Sequence, residues 1–527
     1  MAILDSIKNF FSRGMTMVQT NSGLGLITDD PRINLPPNEL GRISRAFQYY
    51  RNDFGQISFY NTYNQQKRRP INYLAVTKEA SRQLASLIAN EGFHVSVQSG
   101  NTSKNDKNDE IDDYLKKVFD FNNFYQNYEE NLELGIATGG FAIRPYVSNN
   151  RIRLAWVRAD QFIPLEANTN EIQSAVIVSK TSRTENRQTA YYSLLEFHEY
   201  DRNNNSETIT NELYRSTSAS SVGEQVPLGS LDQYANLQES VTINGISRPT
   251  FAYFKTPGKN NLNVDSPLGI GIVDNHLKLV DAINIANDQF VREVKLGKRR
   301  IGVSAEMIKP AVMQKPQMGE LANQGYPKFA EDDDVFMQLA NGRDDKTWLQ
   351  DLTSNIRVDD YSKTLELYMH QFENAVGLSQ GTLSVGADSN KTATEVVSDN
   401  SKTYRTRSSY LTQCEKQLRG LITTIVELSS ISELFDDAQS PLNYSVIDNP
   451  LDINIYFEDG VFVDKDTQAK NDILAVQAGV MPKIEFLKRN YGLSDEDAKR
   501  WVSEVGSETG MIDSTPPEQD NSMAGDV

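Results

Sequence analysis

Asp265-Ser266-Pro267 opens the stretch whose reading decides the fold. A side chain able to cap a helix precedes a proline suited to the first helical position. Apolar residues then fall at Ile270, Val273, Leu277, Val280, Ile283, Ala286, Phe290 and Val294, in steps of three and four. That spacing predicts a helix over 266–297, with Asn275, Lys278, Asn284, Asp288 and Arg292 on its other face and Gly297 as its stop. A second helix over 355–377 repeats the pattern with Val358, Tyr361, Leu365, Tyr368, Phe372 and Val376, and stops at Gly377. Between them, Arg299-Arg300-Ile301-Gly302-Val303 and Val335-Phe336-Met337-Gln338-Leu339 are strand-like runs separated by Pro310, Pro316 and Pro327. The reading is a helix pair carrying a small β-containing head.

On the N-terminal side, helical periodicity covers 38–51, 72–89 and 111–137, and a strand begins at His94. From 141 to 254 the pattern turns to alternation, with strands at 142–147, 151–156, 174–178, 191–200 and 207–214 and a Ser-rich loop over 216–230. On the C-terminal side, 378–391 is a loop of small and polar residues. Thr392-Ala393-Thr394-Glu395 is a capping box that opens a long helix to about 432. Its polar waist, 400–409, is either kinked or exposed. A strand at 453–457, helices at 466–478, 482–490 and 495–505, and an acidic tail complete an α+β chain. Residues 1–17 place Ile3, Leu4, Ile7, Phe10 and Phe11 on one helical stripe, with Asp5 and Lys8 interrupting what a signal peptide would need. An amphipathic arm that docks on protein is the preferred reading; a membrane-surface helix is the alternative.

Composition narrows the function. A length of 527 residues implies several domains, and an apolar content of 38% leaves room for a large polar or intersubunit surface. A net charge of −18 argues against a sequence-specific DNA-binding module. One cysteine, Cys414, and four scattered histidines exclude a disulfide framework and argue against a histidine-metal cluster. No apolar run approaches the ~20 residues of a membrane helix, so a soluble, reducing setting is expected.

No motif points to catalysis. Asp201-Arg202-Asn203-Asn204-Asn205 with Glu212 mimics calcium-loop positions, but Ser206 stands where glycine is required and the flanks alternate, so a β-hairpin tip is preferred. Gly258-Lys259 is followed by Asn260 and Gly297-Lys298 by Arg299, so neither forms a phosphate-binding loop. Glu331-Asp332-Asp333-Asp334 reads as a solvated loop rather than a cation site, and the Lys295, Lys298, Arg299, Arg300 cluster as a charged helix end. No cofactor or metal is expected.

Taken together, the chain resembles a portal protein of a tailed bacteriophage, of the type found in long-tailed phages of Gram-positive hosts. The carriers are Ser266-Pro267-Leu268-Gly269, Glu293-Val294-Lys295-Leu296-Gly297-Lys298-Arg299-Arg300-Ile301, Ile356-Arg357-Val358, Val376-Gly377-Leu378-Ser379-Gln380-Gly381-Thr382 and Lys391-Thr392-Ala393-Thr394-Glu395-Val396. Upstream, Gly139-Gly140-Phe141-Ala142-Ile143-Arg144-Pro145-Tyr146 and Ala159-Asp160-Gln161-Phe162-Ile163-Pro164 add to it. The match covers about 38 to 456.

The resemblance implies a non-enzymatic homo-dodecameric ring around an axial channel at one capsid vertex. Double-stranded DNA would pass through it without sequence specificity. The ring would dock the terminase large subunit and a head-tail connector and meet major capsid and scaffolding proteins, in the virion and in the host cytoplasm during assembly. It implies an arm at 1–35, an α/β wing at 36–265, stem helices at 266–297 and 355–377, and a clip at 298–354. A tunnel loop at 378–391, a long helix at 392–432, a return strand within 433–465, a helical crown at 466–506 and a tail at 507–527 follow. Ser379, Gln380, Thr382, Ser384, Asp388, Ser389, Asn390 and Lys391 would face the channel. Leu277, Val280, Phe290, Leu365, Tyr368 and Phe372 would meet neighbouring subunits, and Arg299, Arg300, Arg343 and Lys346 would meet partners at the clip. A different self-associating virion or scaffold protein, or an enzyme with a carboxylate pair in the wing, are the alternatives.

Overall fold

The computed structural model describes residues 23–60, 64–89, 93–99, 105–168, 171–185, 187–297, 299, 301–304, 336–339, 349–351, 353–384, 401–436, 439–457, 465–491, 493 and 495–510. The chain forms two units, residues 1–390 with 398–457, and residues 391–397 with 458–527.

Helices α1 (Pro37–Tyr50), α2 (Val76–Ala89), α3 (Asn105–Phe121) and α4 (Phe124–Thr138) lead the first unit, with a hairpin of β1 (Gln56–Tyr60) and β2 (Gln66–Pro70) after α1 and β3 (Phe93–Ser99) after α2. The periodic run over 111–137 is two helices rather than one. Asn123 sits at φ 46° at the break, and the Asn122 amide donates to the carbonyls of Val118 and Ile152 while accepting from the Leu154 N–H. The break therefore ties the helices to the following sheet. Phe119 and Phe124 stack across it at 4.4 Å, a geometry that contributes about 0.5–1.5 kcal/mol beyond burial.

The β region forms two sheets. One is antiparallel, ordered β12-β4-β5 from β4 (Gly140–Ser148), β5 (Arg151–Arg158) and β12 (Ala252–Lys255). The other runs β10-β9-β8-β7-β6, with β6 (Phe162–Asn168), β7 (Glu171–Glu185), β8 (Gln188–Asp201), β9 (Ser206–Ser216) and β10 (Glu224–Val226), and with β11 (Ser240–Asn244) also on β9. The Ser-rich stretch thus contains a strand that alternation did not reveal. Asp201 pairs with Ser206 across the β8–β9 turn, and its carboxylate accepts from Asn203 N–H and Asn204 Nδ2. Glu212 lies back on β9, paired with Arg32 at 2.9 Å. The calcium-like spacing is a hairpin tip.

Helix α5 spans Leu277–Leu296, eleven residues shorter at its start than its periodicity predicts. Tertiary contacts take 266–276 out of the helix. A side chain on Gly269 would come within 2.1 Å of the Gly139 carbonyl oxygen, and one on Gly271 within 2.2 Å of that of Ala137. The Ile272 N–H donates to Ile136 at 3.0 Å. Asp274 accepts from Gly271 N–H and from Arg42, whose guanidinium also reaches Glu39 and the Gly269 carbonyl. This buried ion cluster seats the segment on α1 and the end of α4. Similarly α2 begins four residues late, because the N–H groups of Asn72 and Leu74 are given to Asp288 and Asn284 of α5.

Among the described residues of the head, β13 (Ile301–Ser304) lies between β14 (Phe336–Leu339), parallel to it, and β15 (Leu349–Asp351), antiparallel. Helix α6 (Val358–Ala375) returns along α5 and ends near Gly377, as its pattern predicts. Helix α7 (Ser401–Ser430) packs its later half into the main core through Cys414, Leu418, Leu421, Ile422, Ile425 and Val426, all fully buried. Over 401–409 its polar waist is continuous helix, with Thr403 and Arg407 buried, while the capping box and the rest of 392–400 lie outside the described residues. Finally β16 (Leu451–Phe457) pairs antiparallel with β3.

The second unit holds α8 (Lys465–Gln477), α9 (Lys483–Tyr491) and α10 (Asp495–Gly510). Asp472 is buried and accepts from Asn490 Nδ2 at 3.0 Å, while the Tyr491 ring meets Phe486 and Trp501. Among the described residues no helix is long and apolar enough to cross a membrane.

Candidate functional site

Helices α5 and α6 form a rigid pair. The Glu293 carboxylate accepts from Arg357 three times, from Nε and the backbone N–H at 3.0 Å and from Nη2 at 2.5 Å. These bonds hold the Glu293 carboxyl at about 2. The Phe290 and Tyr361 rings meet at 5.4 Å. At the root of the pair, the polar face of α5 is a socket rather than a solvated surface. Asp288 binds Arg69 at 2.7 and 2.6 Å and accepts from the backbone and side chain of Asn72. The Arg69 guanidinium, with the Asn72 donors, holds the Asp288 carboxyl at about 2. Tyr49 donates to Asp281 at 2.8 Å.

The pair leads into a built turn. Gly377 takes φ 83°, and a side chain there would stand 2.5 Å from Thr406 Oγ1. Thr406 donates to the Gly377 carbonyl at 2.7 Å, the Ser379 N–H donates to Thr403 Oγ1 at 2.8 Å, and Lys402 donates to the Asn374 carbonyl at 2.7 Å. The waist of α7 therefore carries its polar residues to receive this turn. Glu373, fully buried, gathers the segment beyond it. Its carboxylate accepts from the N–H groups of Gly381 at 3.1 Å, Leu383 at 2.7 Å and Ser384 at 2.9 Å, and from the Ser384 hydroxyl at 3.1 Å. A loop of small residues is thus fixed over its first half by one acid.

A family model described as Phage portal protein, SPP1 Gp6-like, matches residues 32–510. The chain belongs to that phage portal family. It is a subunit of a capsid portal channel, and its place is the virion. Two solved structures resemble it, described as the virion of a native gene transfer agent particle and the neck of a native gene transfer agent particle computed with C12 symmetry. The first shares 9% identity and covers 80% of this chain and 89% of that one, at a TM-score of 0.33. The second shares 10%, covers 81% and 89%, and has a TM-score of 0.32. No curated protein matches the sequence.

Within this portal chain the expected channel residues divide. Ser379 is buried under α7, Gln380 is exposed, and Thr382 and Ser384 are half-buried. Asp388, Ser389, Asn390 and Lys391 lie outside the described residues, as do Arg300, Arg343, Lys346 and the acidic run 331–334. Arg299 is exposed at the start of the head. Of the residues expected between subunits, Val280 and Phe372 are fully buried in the chain's own core. Leu277 and Tyr368 are half-buried against the same core, and Phe290 and Leu365 are half-buried along the pair. The apolar side chains the helix pair leaves in solvent are others, among them Ile285 at 48% and Leu367 at 55% exposure.

Sequence reasoning missed Glu373, Asp288 and Arg69. For Glu373 a signal existed: a carboxylate in the last turn of a helix opposes the macrodipole, and it is favourable there because returning loop amides meet it. The nearest thing to a carboxylate pair in the β region is also buried. His198 lies 2.8 Å from Glu196 and 3.1 Å from Glu207, with Arg144 paired to Glu196 and the Thr250 N–H donating to Glu207. These groups satisfy one another and link β4, β8, β9 and the strand entering β12.

Proposed function

We propose that twelve copies of the chain close into a ring whose axial channel passes double-stranded DNA during packaging and ejection, and that the chain has no catalytic role of its own. The observation that carries this reading is the turn after Gly377. It is clamped between two long helices by Glu373, Thr403 and Thr406, so that the residues beyond it, 385–391, leave from a fixed root. On this reading the α/β region is the wing, α5 and α6 the stem, the three-stranded head the clip, and α8 to α10 the crown. The clip, with Arg299, Arg300, Arg343 and Lys346, meets the terminase large subunit and later the connector. The outer surface meets capsid and scaffolding proteins in the host cytoplasm.

The charge supports transit rather than grip. Each phosphate neutralised by Lys or Arg would add salt-sensitive binding, whereas a subunit at −18 adds repulsion. Packaging by particles in which 385–391 is replaced with a Gly-Ser linker tests the reading. Rings should assemble, and DNA retention or translocation should change. Intact rings with normal packaging and retention would show the loop to be a connector only.

A further inference from the structure

A groove of 720 Å³ lies on the first unit where the described chain begins. Its floor is apolar, with Ile27, Leu40, Phe47, Leu134 and Val222, and its rim carries Arg158 and Lys180. Leu26, also lining it, is 58% exposed. The chain enters at this spot: Leu24 is bridged to Gly223, and Val222 donates its N–H to the Gly25 carbonyl at 3.2 Å.

Residues 1–22, outside the described residues, carry the stripe Ile3, Leu4, Ile7, Phe10 and Phe11, ending before Gly14. A helix over about twelve residues is marginal alone in water, so such a stripe needs a surface to cover it. It would be ~18 Å long. The nine residues 14–22 can span up to ~30 Å. A groove next to Gly23 is within reach of the arm without a second chain.

We propose that the N-terminal arm of each chain docks its apolar stripe into this groove on its own subunit. The stripe covers Leu40, Phe47 and Leu134, and the arm thereby braces α1 against β6 and β7. The proposal is independent of the DNA-channel reading.

Cysteine cross-linking of the full-length chain tests it, and the native background is clean because Cys414 is fully buried. Ile7→Cys is combined with Ser44→Cys, which lines the groove and is exposed, or with Asn203→Cys at the β8–β9 turn as a control. A short bismaleimide should join 7 to 44 within one chain several-fold more efficiently than 7 to 203. Adding Phe11→Asp, a change outside the described core, should abolish that preference while leaving the melting transition of the body in place. Links that run between chains, an equal yield at 203, no link at 44, or a preference that survives Phe11→Asp would each overturn the proposal.

Discussion

The Glu373 carboxylate accepts the Leu383 N–H at 2.7 Å across ten residues of chain. It does so from full burial. One side chain thus serves several donors, and its loss strands them at once.

Glu373→Ala should therefore loosen residues 381–384 while the two helices stay folded. The donors are half-buried or exposed, so each lost bond costs about 0.5–1.5 kcal/mol rather than a full burial penalty. Hydrogen exchange is the measurement: the amides of Gly381, Leu383 and Ser384 should lose protection together, and Glu373→Gln, which keeps one acceptor oxygen, should lose less. Unchanged protection in Glu373→Ala would mean that the loop is held by something else.

The socket at Asp288 gives a pH signature. Its folded carboxyl sits at about 2, below the ordinary value of 3.8, so its stabilisation is fully present above about pH 4 and is lost as pH falls towards 2. The difference corresponds to about 2 kcal/mol. Melting temperatures of the wild type and Asp288→Asn should differ at pH 6 and converge near pH 2. A gap independent of pH would assign the effect to packing instead.

Two glycines should respond in opposite directions. Gly377→Ala forces a side chain into the left-handed region and against Thr406, and it should cost at least about 1–2 kcal/mol. Gly41, in the middle of α1 with nothing near its absent side chain, should gain about 0.5–1 kcal/mol on Gly41→Ala. Chemical denaturation of both variants checks the contrast.

The helix pair separates folding from assembly. Phe372→Asp should unfold the subunit, since its side chain lies in the chain's own core and even truncation there costs about 3–5 kcal/mol. Ile285→Asp and Leu367→Asp alter exposed positions and should leave a folded subunit that fails to close rings. Sedimentation with circular dichroism distinguishes the cases. Rings persisting in both surface variants would remove this face from the interface.

The elements that sequence made legible are those whose signal is local. Helix α6, helices α8 to α10 and the β8–β9 hairpin follow from periodicity and turn residues within a few positions of one another. The failures share one cause, which is contact between distant segments. Periodicity continued through Ile270 and Val273 into α5, but Gly269 and Gly271 lie too close to the backbone of 137–139 for a helix to begin there. Asn284, Asp288, Thr403 and Arg407 read as solvent-facing, yet each is buried against a partner supplied from elsewhere in the chain, Leu74, Arg69, Ser379 and Leu87. The same blindness assigned Val280 and Phe372 to a neighbouring subunit, because an apolar stripe does not say which surface covers it. After α6, composition marked a loop of small and polar residues, and the acid that organises its first residues lay unnoticed four residues before Gly377.

Direct imaging of the purified full-length protein tests whether this chain forms the channel of a portal. Negative-stain class averages should show rings with twelve-fold symmetry and an axial hole wide enough for a DNA duplex. Monomers, filaments or particles closed along their axis under conditions where the chain is folded would contradict it.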